Sequence, residues 1–400
     1  MDIKIKRKIG LTIFLFSFLF FLFKIKNVEK ISNIIFISDG FSHQSKKFWV
    51  GGEYSIKLNN TNDTKDNKVF FRLKNKKKVE LYKDHLFMKS SGKECLIAYY
   101  NKNNYRICFN IYETPKLNFR ETNPIKIETN TTKILNLDKG DYPESNLKYK
   151  SDHPDIIKVN SKGEITAIRP GSAIITVSGL DNVTTKIKII SISNKGLLSK
   201  YELKMLNASH YKNVMIVAHP DDESLWGGAN LIKDNYFVVC LTNGYNLKRA
   251  NDFRTILKFT KNGGIILNYP DTQDNIRDDW IYVGKGILND LSLILNYTNW
   301  KKIVTHGPEG TTGHYHHKKT HRFVLETVKK FNKLNNLYYF AKFYKKNEMP
   351  KSLPRISDKE LEYKIKEVSI YKSVNKYIYK LWYHMLPFEK FIPASNLEIT

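Results

Sequence analysis

Apolar and polar positions change their period once along this chain, near residue 200. Between about 31 and 195, apolar residues alternate in short runs such as Glu164-Ile165-Thr166-Ala167-Ile168-Arg169 and Ser172-Ala173-Ile174-Ile175-Thr176-Val177-Ser178. Turn formers punctuate them at Asn160-Ser161-Lys162-Gly163 and Arg169-Pro170-Gly171-Ser172. A period of two with closely spaced turns predicts the strands of β-sandwiches. From about Lys204, short apolar runs alternate with helical periodicity instead. Strands are expected over residues 214–217, 236–241, 264–267, 302–305 and 337–343. Helices are expected from Ser224 and over residues 248–261, 280–296 and 317–331. Repeated β–α units predict a Rossmann-like parallel sheet covered by helices. The stretch from about 350 to 400 is basic, aromatic and partly helical, with no legible motif.

With 400 residues the chain exceeds a single hydrophobic core. The division read from the pattern is an export segment at 1–30, β domains at 31–118 and 119–195, and an α/β domain at 204–400. A hydrophobic content of 41% and an aromatic content of 13% exclude general disorder. Lys and Arg number 66 against 39 Asp and Glu, a formal charge of +27. The excess is spread over the whole length, so an A/T-rich coding bias is the stronger account of it, ahead of an anionic partner. No basic arm or aromatic-interleaved groove is visible, and no nucleic-acid partner is expected.

At the N-terminus, Lys4, Lys6, Arg7 and Lys8 precede an uncharged run from 9 to 23, followed by Lys24 and Lys26. A basic flank before an apolar run is an export signal. Because no small-residue cleavage site follows, an uncleaved signal-anchor is expected. It would place the rest of the chain on the non-cytoplasmic side of a membrane, or outside the cell if the signal is removed. Only three cysteines occur, without metal-type spacing, so any metal must use histidines and carboxylates. Cys95 and Cys108 flank a hairpin turn; a disulfide and two free packed thiols both fit.

Two polar constellations carry chemistry. His219-Pro220-Asp221-Asp222-Glu223 follows an apolar strand and opens a helix. Three carboxylates at the end of a buried strand call for a cation, and oxygen ligands with an imidazole suit zinc. An Asp helix cap with extra surface charge is the plainer account. About 90 residues later come His306, His314, His316, His317 and His321, five of the chain's eleven histidines. Both groups fall where strands end, the edge at which open α/β sheets bind ligands.

The segment Tyr149 to Val177, with Gly163-Glu164-Ile165-Thr166-Ala167 and Pro170-Gly171-Ser172-Ala173, resembles the bacterial Ig-like group 2 domain. A weaker echo upstream reads either as a degenerate second copy or as an unrelated β domain. Neither holds a cluster of catalytic residue types, so both are expected to serve as spacers or adhesive modules.

The ordered pair Ala218-His219-Pro220-Asp221-Asp222-Glu223 and Thr305-His306 … Gly313-His314-Tyr315-His316-His317 resembles the N-acetylglucosaminyl-phosphatidylinositol de-N-acetylase (PIG-L/LmbE-like) family over about 213–339. The resemblance implies zinc-dependent removal of acetate from an N-acetylglucosamine-type conjugate, lipid-linked or polysaccharide. Metal ligands would be His219, Asp222 and His317. Asp221 would be the general base, His314 the oxyanion stabiliser or general acid, and Arg249 a substrate contact. Two His and one Asp leave a zinc position open for water, as catalytic sites require. Glu223 is expected to orient a neighbour, and Gly227-Gly228 to let the helix approach closely.

Three departures from the family pattern matter. His316 stands where an Asp normally supports the catalytic His, Tyr315 replaces a Pro, and Thr312 replaces an aromatic residue. An alternative register pairs His317 with His321, i and i+4 on one helix. Two other functions stay open: hydrolysis of a different amide, and a surface glycan-binding or adhesin protein with a degenerate deacetylase domain.

Overall fold

Alternating strands in the first half pack into two β units. The computed structural model describes residues 34–38, 41–43, 47–58, 68–100, 102–142 and 146–397. The expected signal-anchor lies outside these residues. No helix among the described residues is long and apolar enough to cross a membrane. In the first unit a five-stranded and a four-stranded sheet enclose Ile56, Val79, Leu86, Leu96, Ala98 and Ile111. Strand Glu53–Leu58 buries every second residue, as a half-covered sheet requires. Cys95 and Cys108 sit directly opposite on neighbouring strands and form a disulfide. The second unit has a four-stranded sheet and a three-stranded sheet around Ile156, Ile165, Ile175, Ile187 and Ile189.

The α/β half is built on β1 (Asn213–Val217), β2 (Tyr236–Thr242), β3 (Gly263–Tyr269), β4 (Lys302–Thr305), β5 (Leu337–Phe340) and β6 (Phe391–Pro393). Their order in the sheet is β3-β2-β1-β4-β5-β6; the first five run parallel and β6 is antiparallel. Every residue of β1 and β2 is buried, which is why these strands read as apolar runs without alternation. Successive side chains enter opposite cores: Val214 and Ile216 one, Met215 and Val217 the other. Helices α1 (Asp222–Lys233), α2 (Leu247–Thr260), α3 (Gly284–Leu295) and α4 (Tyr315–Lys330) connect the strands.

Helix α3 starts four residues later than its periodicity implies. Trp280 has a left-handed backbone, φ 57°, and its indole donates to the Pro270 carbonyl, so it anchors the preceding loop instead. The strand expected over 337–343 ends at Phe340.

The motif-less tail is part of the fold. Besides β6 it supplies α5 (Asp358–Ile370), which packs on α1. A Cβ at Gly228 would lie 2.7 Å from Glu367 Oε2, and one at Gly227 2.6 Å from Met215 Cε, so both glycines are needed for close approach. Behind them Lys364 and Glu389 form a fully buried ion pair at 2.8 Å.

The second β unit also differs from a detached spacer, because it docks on the α/β half. Gln273 exchanges two hydrogen bonds with the Ser172 backbone, accepting at 3.1 Å and donating at 2.7 Å. The Arg169 guanidinium lies 3.9 Å from the centre of the Tyr245 ring.

Candidate metal and catalytic site

The two polar constellations meet at the C-terminal ends of β1 and β4. His219 follows β1, Asp221 caps α1 and Asp222 is its first residue. His314 caps α4, and His317 lies in its first turn. His219 Nδ1 is 3.1 Å from His317 Nε2 and 3.4 Å from Asp222 Oδ2, and His317 Nε2 is 3.2 Å from Asp222 Oδ1. Tetrahedral zinc with bonds of about 2.0–2.1 Å needs donors roughly 3.3 Å apart. The three expected ligands therefore fit such an ion.

Hydrogen bonding fixes which nitrogens face the centre. His317 Nδ1 donates to the Gly310 carbonyl at 3.1 Å, which frees its Nε2. His316 Nε2 donates to the Asp278 carbonyl at 2.7 Å, so its Nδ1 accepts from His219 Nε2 at 3.2 Å. Asp271 Oδ1 lies 3.5 Å from the same His219 nitrogen. That leaves His219 Nδ1 for a metal, with partners behind the ring as metal-binding histidines require.

Charge is divided unevenly. Burial works against a cation on His219, but Asp222 and Asp271 outweigh it and raise its pKa to about 9. In the metal-free protein a proton thus occupies the metal-facing nitrogen. Burial also opposes ionisation of Asp222, yet the surrounding imidazoles of His317, His306 and His219 hold its pKa well below the ordinary range. Asp221 is pushed the other way, chiefly by burial; Arg249 opposes that shift and Asp222 adds to it. His314 is lowered to about 2, first by burial and then by the neighbouring His219 and His317. Its Nδ1 accepts from the His316 backbone N–H at 3.3 Å, so the neutral ring carries its proton on Nε2.

Asp221 has φ 127°, a conformation L-residues rarely adopt and one that marks strain at functional positions. Its backbone N–H donates to Glu223 Oε2 at 3.1 Å, and Glu223 in turn accepts from Tyr371 Oη at 2.5 Å. Glu223 thus orients its neighbour. Arg249 Nη2 lies 3.3 Å from Asp221 Oδ2 and donates to the Pro220 carbonyl at 2.5 Å. The structure therefore ties the expected substrate contact to the expected base.

Other expectations are corrected. His321 does not join His317: its Nδ1 bonds the His306 carbonyl at 3.1 Å and its ring packs on Tyr339. Tyr315, at the position of the usual Pro, is 40% exposed. His316 serves His219 rather than His314, and it stacks on Trp280 with ring centres 4.2 Å apart. Asp271, Asp278 and Tyr371 escaped the sequence reading. The one usable signal for Asp271 was its place just beyond the end of β3 on the ligand-binding edge.

Fold and site together define an α/β domain with a cluster of histidines and carboxylates on its strand ends that could hold a metal ion. Residues 214–328 match the family described as PIG-L: GlcNAc-PI de-N-acetylase, and this part of the chain is a PIG-L family domain. The uncharacterized protein L374 of Acanthamoeba polyphaga mimivirus is 28% identical over 130 residues, covering 28% of this chain and 56% of that protein. The chain thus spans little more than half of that curated relative. A deacetylase of the teicoplanin biosynthesis pathway, solved as a bog complex, is 15% identical, with 41% of this chain and 85% of that one covered and a TM-score of 0.32. Domains 4 and 5 of the S-layer protein SbsC are 12% identical, with 41% and 99% covered and a TM-score of 0.21.

Proposed function

We propose that this protein is a zinc-dependent N-deacetylase that hydrolyses the N-acetyl amide of an N-acetylglucosamine-type conjugate and releases acetate. The observation that carries the reading is the closure of His219, Asp222 and His317 to donor separations of 3.1–3.4 Å, with Asp221 and His314 beside them. A zinc ion held by these three residues would act as a Lewis acid and lower the pKa of water at the site.

The chain's own residues divide the remaining work. Asp221, held by Arg249 and by the Glu223–backbone bond, takes the proton of the attacking water. The neutral His314 ring donates Nε2–H to the oxygen that gains charge as the amide carbonyl becomes tetrahedral. When the C–N bond breaks, Asp221 returns its proton to the departing amine, so acetate and a free amino sugar balance amide and water. Arg249, beside the base, would contact the substrate.

The proposal extends to the division of the chain read above, with an exported catalytic half attached to a membrane through the N-terminal segment. The full chain supplied with zinc should release acetate from N-acetylglucosamine conjugates, and Asp221→Asn should bind zinc with kcat lowered about 10²–10⁴-fold. Absence of acetate from every conjugate tested, with zinc bound, would overturn the reading. Turnover of other amides alone would redirect it to a different amidase. Glycan binding that survives chelation, without turnover, would mark an adhesin.

A further inference from the structure

The loop between β3 and α3 carries a short hairpin arm, Thr272–Gln273 paired with Ile276–Arg277. Asp274 and Asn275 make its tip, with φ of 52° and 62°. Its root is fastened by the Asp278 N–H bonding the Asp271 carbonyl at 2.9 Å. Asp271 and Asp278 are also the residues that reach His219 and His316, one through its carboxylate and the other through its carbonyl. Position at the arm's root therefore sets the contacts behind a metal-facing histidine.

The second β unit grips the other end of this arm. The Gln273 side-chain amide meets the Ser172 backbone as a strand neighbour would, with one bond in each direction. His153 Nε2 lies 3.2 Å from Asp274 Oδ2 at the tip. Arg169, whose side chain is only 12% exposed, stacks on Tyr245, and the Tyr245 hydroxyl accepts from the Asp271 N–H at 3.4 Å. Two routes thus run from one turn of the β unit, Arg169 to Ser172, to the same aspartate.

We infer that the Arg169–Ser172 turn of the second β unit is a positioning element of the metal site, holding the 272–277 arm so that Asp271 and Asp278 fix His219 and His316. This rests on the metal-dependent reading above, but the geometry involves only residues of the chain. Gln273 and Arg169 are positioning residues, since they act through Asp271 and touch no reacting atom. A β unit docked elsewhere would leave the arm's two short strands held only at their root, with nothing to fix the tip.

The test uses the full chain with Arg169→Ala, Gln273→Ala and the double variant. Lys126→Ala is the control, because Lys126 contacts Tyr282 across the same boundary without touching the arm. Amide exchange over 271–278 is expected to quicken in the variants and not in the control. Affinity for cobalt, read from its visible absorption, is expected to fall about 10- to 100-fold in the double variant, the range for partners behind a ligand. Acetate release should lose kcat with little change in KM. Unchanged exchange, or faster exchange with cobalt affinity unchanged, overturns the inference. Should the double variant fail to fold, Gln273→Ala alone decides, since that side chain is partly exposed. If the native chain takes up cobalt but releases no acetate, the proposed activity fails while exchange and absorption still judge the clamp. If it takes up no cobalt, exchange at 271–278 decides alone.

Discussion

The two ends of the site treat a buried imidazole in opposite ways. At the β1 end, His219 lies between the carboxylates of Asp222 and Asp271 and is raised to about 9. At the α4 end, the His314 ring accepts from a backbone N–H and is lowered to about 2. The rings stand only 4.7 Å apart, edge to face. Two carboxylates set the character of the first ring, whereas burial and then the neighbouring His219 and His317 set that of the second. One end attracts positive charge and the other offers a neutral N–H, the division of labour that a metal-assisted amide hydrolysis needs.

The most direct way to break the contrast is to empty one end. His219→Ala should abolish stoichiometric zinc binding and turnover together, as metal analysis of the purified variant would reveal. Asp221→Asn leaves all three ligands in place and should lower kcat by about 10²–10⁴-fold with zinc retained. His314→Ala should cost about 10²–10³ in kcat, the loss of one oxyanion donor, again with metal bound.

A subtler experiment adds a carboxylate at the α4 end. In His316→Asp, the α4 end gains the negative charge that the family pattern has there. The His314 pKa should rise, visible as a shifted imidazole titration by NMR, and activity should change by less than in His314→Ala. An unmoved His314 titration would show that burial alone governs this ring.

The smallest effect is the pH dependence of stability in the metal-free protein. His219 has its folded pKa raised above the unfolded value of about 6.5, so its stabilisation is complete below that pH and fades as pH climbs toward about 9. His306 and His314 are lowered, to about 3 and about 2, so their stabilisation exists above about 6.5 and fades as pH falls. Urea unfolding should place maximum stability between these arms. Zinc should remove the alkaline loss, because it replaces the proton on His219.

How much of this was legible follows the range of each contact. The β1 strand, the α1 opening and the α4 histidines are local patterns, and only the family resemblance grouped His219, Asp222 and His317 into one expected set despite their separation. Asp271 was not, because nothing near Pro270 resembles a motif. Its role arises only when the order β3-β2-β1 brings the end of β3 near the His219 ring. His316 was read as a lost carboxylate for His314, whereas the fold turns it toward His219 and Asp278. Tyr371 lies in a tail without periodic chemistry and reaches Glu223 through the packing of α5 on α1.

That tail also imposes an order in time. The proposed ligands and base are all translated by His317, yet the Tyr371 hydroxyl that steadies Glu223 and the Glu389 that pairs with Lys364 come later. At roughly 5–20 residues per second the ribosome needs several seconds to cover that interval. During it, the Gly227–Gly228 face of α1 has no α5 to cover it. A nascent chain can therefore gather His219, Asp222 and His317 before the brace behind Asp221 exists, and the proposed activity would have to wait for the tail.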